Sequence, residues 1–228
     1  MAETRTLVLV RHGQTDWNLS GRAQGHADIP LNATGRAQAQ TVARVLAGFD
    51  PVRLWSSDLA RAWQTAEAVA EATGLVIECD PRLREYDVGE RSGLTLDEAA
   101  ERFPEQYAAY RAGRSATLVP GEETTAQVRD RVVPALLDCF ARLDAGETGI
   151  AVTHGACLRV GLMGLIGWPW ENARALVGIE NGAFCVLTHD PAQERVRLVS
   201  YNEKAGGHGP SGRAAFETAR SGPLFVRD

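Results

Sequence analysis

No apolar run in this chain approaches the length of a membrane span. The first, Leu7 to Val10, is only four residues long and ends at once in Arg11, against the roughly 20 residues a spanning helix needs. The opening MAETRT lacks the basic-then-apolar order of a secretory signal. Positive charge is not in excess. Lys and Arg number 24 against 29 Asp and Glu, a formal net charge of −5, so the whole chain carries no signal for nucleic acid or an anionic membrane. No basic stripe interleaved with aromatics compensates. The expectation is a cytoplasmic protein acting on a small molecule. The acidic balance does not forbid an anionic ligand, because two or three arginines in a pocket reverse the local potential.

Cysteine is sparse and scattered. Cys79, Cys139, Cys157 and Cys185 form no CxxC pair, and the five histidines are not clustered at ligand spacing, so no zinc site is expected. Each cysteine lies in or beside an apolar run, which reads as core thiols in a reducing compartment. What remains is ordinary for a globular protein: 228 residues, 44% hydrophobic and 23% charged, enough to bury a substantial core. No internal repeat stands out beyond two short strands that each end in His-Gly.

The first of these, in LVLVRHGQTDWN at 7–18, organises the chain. Leu7 to Val10 read as a central strand buried on both faces. It stops abruptly at Arg11, His12 and Gly13, and open α/β sheets bind ligands beyond the carboxyl ends of their strands. Arg11 offers a fixed cation, His12 a nucleophile or base, and Gly13 room for close approach.

A long loop of small and polar residues follows, its length suggesting a functional fold over the strand end. Residues 34–47 read as a helix and Val52 to Trp55 as a strand. Ser56, Ser57 and Asp58 then read as caps for a helix to about Thr73. Arg61 falls in that helix's first turn, where a cation opposes the dipole but a bound phosphate would explain it. Leu75 to Cys79 read as a strand, and LREYDVGERSGLT as loop. Thr95 with Glu98, and Thr124 with Gln127, read as capping boxes. Pro104 restarts a helix to about Ala112. Pro134 should kink or divide the helix after Thr124. Ile150 to Thr153 repeat the strand-His-Gly pattern at His154 and Gly155, followed by a helix, apolar on most sides, that GWPW ends at Pro169. Phe184 to Thr188 and Val196 to Tyr201 read as late strands joined by a hairpin-like connector. The fold class is therefore a three-layer α/β/α sandwich with a mostly parallel sheet, as a single domain with a core of about 5–201 and a loosely docked tail over 202–228. If the two His-ended strands are neighbours, His12 and His154 lie side by side.

LVLVRHGQTDWN at 7–18, GHADIPLNATGRAQA at 25–39, SSDLARAWQTA at 56–66, LREYDVGERSGLT at 83–95, PGEET at 120–124 and AVTHGACLR at 151–159 occur in this order. Together they resemble the histidine phosphatase family, which also contains the cofactor-dependent phosphoglycerate mutases, over roughly residues 5 to 201. Within it, RHGQTD, SSDLARA and the compact middle are similar to the actinobacterial glucosyl-3-phosphoglycerate phosphatase type. The resemblance implies a phosphoglycerate mutase-like fold and hydrolysis of a small phosphomonoester through a phosphohistidine, with no metal or cofactor required. A homodimer is left open. By resemblance His12 is the nucleophile, Arg11 and Arg61 clamp the phosphoryl group, and His154 supports its charge. Glu85 matches the acid-base carboxylate, although composition alone does not separate it from Asp87 or Glu90. Asn18, Gln24, Gly25 and Gly155 match further phosphate contacts, Gly25 through a backbone N–H; loop stabilisation is the alternative for Asn18 and Gln24. Glu123 and Thr124 could line the pocket mouth, while His26, His189 and His208 read as surface or loop residues.

The mutases of the family carry a tyrosine three residues after the catalytic Glu, a longer insert and paired arginines that hold the substrate carboxylate. Here Val88 stands at the tyrosine position, the interval from Glu85 to His154 is short, and only isolated Arg111 and Arg114 lie between. These departures favour a phosphatase over a mutase. All five chemical residues are present, which disfavours an inactive phospho-ligand-binding module.

Overall fold

The structure is a computed structural model and describes residues 4–111 and 119–205. Its centre is a sheet of β1 (Arg5–Arg11), β2 (Arg53–Ser56), β3 (Ile77–Cys79), β4 (Thr148–Thr153), β5 (Phe184–Asp190) and β6 (Arg195–Glu203). The strand order is β3-β2-β4-β1-β5-β6. The pairs β3–β2, β2–β4 and β4–β1 are parallel. The β1–β5 and β5–β6 pairs are antiparallel, so the sheet is parallel on one side and closed by a hairpin on the other.

Alternation along β1 builds the three layers. Val8 and Val10 pack with Val42, Leu46, Ala62, Ala66 and Val69, from α2 (Ala33–Ala47) and α3 (Ala60–Thr73). Leu7 and Leu9 pack on the opposite face with Val132, Leu136, Leu158 and Leu162, from α6 (Thr125–Ala141) and α7 (Gly155–Leu165). Leu7 through Val10 are fully buried, as a strand covered on both faces requires. Shorter helices α1 (Asp16–Leu19), α4 (Leu96–Arg102) and α5 (Pro104–Arg111) fall in the connections between these elements.

Both expected capping boxes form, Thr95 with Glu98 and Thr124 with Gln127. Other local expectations are corrected by tertiary contacts. The α3 helix starts after Leu59 with no side-chain cap of its own; instead Asp28, from the first loop, accepts the Ala60 N–H at 2.6 Å, and Asp58 pairs with Arg84. Of the kink or division expected at Pro134, division does not occur: α6 runs unbroken from Thr125 to Ala141 with the proline on its exposed side. A proline's missing N–H and its ring are tolerated where the helix is anchored by a buried face on either side, here Val132 and Leu136. The α7 helix stops at Leu165, and Pro169 instead precedes a 3-10 turn, Trp170–Ala175. Three cysteines are buried, but Cys79 is exposed on the short β3 at the sheet's edge. The β6 strand extends through Glu203, past the expected end of the core; from residue 206 the expected tail lies outside the described residues.

Candidate active site

His12 follows β1 and His154 follows β4. The two strands pair in parallel with Arg11 opposite Thr153, which sets the imidazoles side by side with ring centroids 5.1 Å apart at 60°. The geometry expected from the two His-Gly strand ends is therefore met.

The His12 ring is buried, and its Nδ1 lies 2.6 Å from the Gly13 carbonyl oxygen. A carbonyl only accepts, so Nδ1 carries the proton and Nε2 keeps a free lone pair. Burial, then the Arg61 and Arg11 cations, push the imidazole well below its usual pKa, against the opposing effect of the Gly13 bond. The ring is neutral at pH 7, the form a nucleophile needs. Backbone packing fixes this turn: a Cβ on Gly13 would lie 2.3 Å from the Gly35 carbonyl oxygen, and one on Gly35 would lie 2.0 Å from that of Gln14. Glycine at both positions lets the start of α2 touch the strand end.

Arg61 is 1% exposed although charged. Its Nη2 donates to the Gly25 carbonyl at 2.7 Å, Nη1 to that of Ala27 at 2.8 Å, and Nε to His154 Nδ1 at 3.2 Å. Three of its five N–H groups are thus engaged, leaving two for an anion. Burial pulls it down to about 10, still cationic at neutral pH. His154 must accept on Nδ1, so its Nε2–H donates to the Ser57 hydroxyl at 2.9 Å. Burial and the neighbouring Arg61, His12 and Arg11 hold this imidazole neutral as well.

Arg11 donates from Nη1 to the Ile179 carbonyl, while its buried Nε–H has no partner. A Cβ on Gly155 would lie 3.2 Å from that Nε, so the absence of a side chain at Gly155 lets the guanidinium lie against the start of α7. A buried orphan donor is costly, and a phosphoryl oxygen would satisfy it.

Glu85 is the carboxylate that the fold brings to this point. Its Oε1 accepts the N–H groups of Tyr86 at 3.0 Å and Cys157 at 2.8 Å, and its Oε2 that of Ala156 at 3.0 Å. His154 is the N-cap residue of α7 but makes no side-chain cap; Glu85 fills that place from elsewhere in the chain. Asp87 instead accepts the Gly89 N–H, and Glu90 pairs with Arg102. Of the three carboxylates, Glu85 is the one held at the start of α7, next to His154.

Asn18 and Gln24 brace the first loop. Asn18 Oδ1 accepts the Thr15 N–H at 3.1 Å, and Thr15 Oγ lies 3.0 Å from Gln24 Oε1. This is the loop-stabilising alternative for both. Gly25 turns its carbonyl to Arg61, where a backbone N–H contact was expected. Its φ of +51° and the 2.5 Å a Cβ would have to Val88 Cγ2 explain the glycine.

Other expectations change. His26 is half-buried beside the site, with Nε2 2.9 Å from the Glu85 carbonyl oxygen. His189 is half-buried on β5 against the Phe140 ring. Glu123 does not stand free at a pocket mouth; it pairs with Arg131 at 2.8 Å. Arg111 is exposed at the end of α5, and Arg114 and His208 lie outside the described residues. Three contributors were missed. Ser57 read only as a helix cap. Arg131 lay unmarked within a helix. Asn181 Nδ2 donates to the carbonyls of His12 at 3.1 Å and Gly13 at 3.3 Å and to Asn18 Oδ1 at 3.2 Å; its only sequence signal is an Asn-Gly turn ahead of a strand.

The family model described as histidine phosphatase superfamily (branch 1) matches residues 7–203. A metal-independent phosphoserine phosphatase of Arabidopsis thaliana is 41% identical over 162 residues, 69% of this chain and 67% of that protein. The glucosyl-3-phosphoglycerate phosphatase of Mycobacterium tuberculosis (strain ATCC 25618 / H37Rv) is 35% identical over 192 residues, covering 81% of this chain and 85% of its own. A solved structure of a mycobacterial glucosyl-3-phosphoglycerate phosphatase in complex with VO3 superposes with a TM-score of 0.80 at 34% identity, covering 88% of this chain and all of that one.

Proposed function

From the chain's membership of the histidine phosphatase superfamily, branch 1, we infer that its phosphomonoester hydrolysis runs through a phosphohistidine on His12. The observation that carries this reading is the buried His12 ring, neutral, with Nδ1 tied to the Gly13 carbonyl, Nε2 keeping its lone pair and two arginine cations acting on the imidazole.

In the first step the Nε2 lone pair attacks phosphorus, the P–O ester bond breaks, and Glu85 delivers a proton to the departing alcohol oxygen. Arg11 and Arg61 hold the phosphoryl oxygens as charge moves across them, and His154 joins them by turning its one N–H, on Nε2, from Ser57 to an oxygen; a guanidinium stays charged and binds such oxygens in pairs. Asn18 and Gln24 keep the first loop in place beside this clamp, Gly25 anchors Arg61 through its carbonyl, and Gly155 leaves the room that Arg11 occupies. In the second step water attacks phosphorus, Glu85 takes its proton, and the P–N electrons return to Nε2 as inorganic phosphate leaves. Residues 5–201 act as a single catalytic domain.

The substrate this reading favours is glucosyl-3-phosphoglycerate or a related phosphorylated metabolite. Likeness to the mycobacterial phosphatase over 85% of that protein's length supports it. Val88, where a mutase carries tyrosine, is buried against Gly25 and offers no phenol to a substrate, which supports water rather than a second alcohol as acceptor. The test is a panel of phosphomonoesters at equal concentration, with glucosyl-3-phosphoglycerate, 3-phosphoglycerate, sugar phosphates and phosphoserine among them. The expected result is free phosphate from one compound and an acid-labile phosphoryl group trapped on His12. A His12→Ala protein that hydrolyses at the original rate would overturn the reading, and positional transfer without phosphate release would replace it with mutase chemistry.

A further inference from the structure

We infer that the Arg131–Glu123 ion pair is a positioning device for Glu85, fixing the backbone on both sides of that carboxylate so that it meets the leaving oxygen. This rests on the acid-base role of Glu85 proposed above.

Arg131 lies on α6 and Glu123 just before it, their side chains 19% and 21% exposed. The guanidinium spreads its donors across the segment leading into Glu85. Nη1 reaches the carbonyls of Arg82 at 2.9 Å and Arg84 at 2.7 Å, and Nη2 reaches that of Glu85 at 2.8 Å. The same guanidinium holds Glu123 through both carboxylate oxygens, Nε to Oε1 at 3.0 Å and Nη2 to Oε2 at 2.8 Å. Glu123 Oε2 then accepts the Asp87 N–H at 2.8 Å, and the Glu123 N–H donates to the Asp87 carbonyl at 2.9 Å. One pair therefore grips the chain before Glu85 through two carbonyls, at Glu85 through its own, and after it through Asp87.

The segment 84–87 has no regular structure of its own to hold it. Its carboxylate end is fixed by the α7 amides, and its backbone end by this pair. A planar fork reaches three carbonyls and a carboxylate together, which a lysine's point charge does not. Neither residue touches the reacting atoms in this arrangement. Both act through Glu85, where an error of about 1 Å is costly to a proton transfer.

The test compares leaving groups. In p-nitrophenyl phosphate the phenolate departs without a proton, whereas benzyl phosphate, of similar size, needs one. The ratio kcat/KM reads only the steps up to that departure. Arg131→Met is made alone, with Glu123→Gln so that no carboxylate is stranded, and beside the conservative Arg131→Lys; circular dichroism melts establish folding. If neither Met variant folds, Glu123→Gln alone decides, with the same pattern at smaller size. The expected result is a fall of roughly 100-fold for benzyl phosphate and less than about threefold for p-nitrophenyl phosphate, as for loss of a general acid. No such loss should be added to a protein already carrying Glu85→Gln. Equal losses on both substrates, or none on benzyl phosphate, overturn the inference while Glu85→Gln still shows the selective loss. If Glu85→Gln lacks that selectivity, the acid role of Glu85 fails and the inference fails with it.

Discussion

Arg61 Nε and His154 Nδ1 stand 3.2 Å apart, and the arginine can only donate. One contact thereby decides which nitrogen of His154 carries its proton and sends that proton toward Ser57. The same guanidinium carries the carbonyls of Gly25 and Ala27, so the charge clamp, the second imidazole and the first loop share one anchor.

Replacing Arg61 with lysine should disturb all three, since an ammonium lacks the planar fork that spans them. The expected loss in kcat/KM is roughly 100-fold or more, the scale of one removed transition-state donor. Steady-state kinetics on any accepted phosphomonoester measure it, and an Arg61→Lys enzyme within threefold of wild type would contradict this account.

Gly25→Ala should both destabilise the protein and weaken catalysis. Alanine at a φ of +51° with Val88 Cγ2 at 2.5 Å is strained, at about 1–3 kcal/mol for the backbone region alone. A thermal melt should show a lowered Tm, and kcat/KM should fall as the Gly25 carbonyl leaves Arg61.

Stability should decline on mild acidification. His12 and His154 are buried and their folded-state pKa values are depressed well below the usual imidazole range. Above about 6.5 both are neutral folded or unfolded and the effect is absent. As pH falls below that value the unfolded chain takes up protons that the folded one refuses, so stability drops toward the folded-state pKa. The slope is up to about 1.4 kcal/mol per pH unit for each ring. Chemical denaturation between pH 7 and 5 checks this, and His154→Asn should make the slope shallower.

The sequence carried the sheet and its two histidines because both depend on local pattern. Leu7 to Val10 and Ile150 to Thr153 are short apolar runs ending in charge and glycine, and their pairing follows once both are buried. The capping boxes of Thr95 and Thr124 are equally local. Asp28 capping α3 was not readable, because its partner lies 32 residues away in sequence. His26 and Arg131 are likewise defined by the Glu85 carbonyl they meet in space, and Asn181 by the carbonyls of His12 and Gly13. Cys79 misled for the same reason: an apolar neighbourhood in sequence became the outer strand of the sheet. That Glu85 rather than Asp87 meets the start of α7 was not readable either, because no nearby residue announces that helix end.

The β4 strand lies between β2 and β1, yet it is made long after both. A ribosome must release the chain beyond Thr153 before the middle of the sheet can be filled, and until then β1 and β2 present unpaired inner edges. Such late, long-range insertion slows folding and invites association between incomplete chains. It also means that the imidazole at residue 154 arrives together with the strand that completes the sheet, so an unfinished polypeptide holding His12 has no partially working centre.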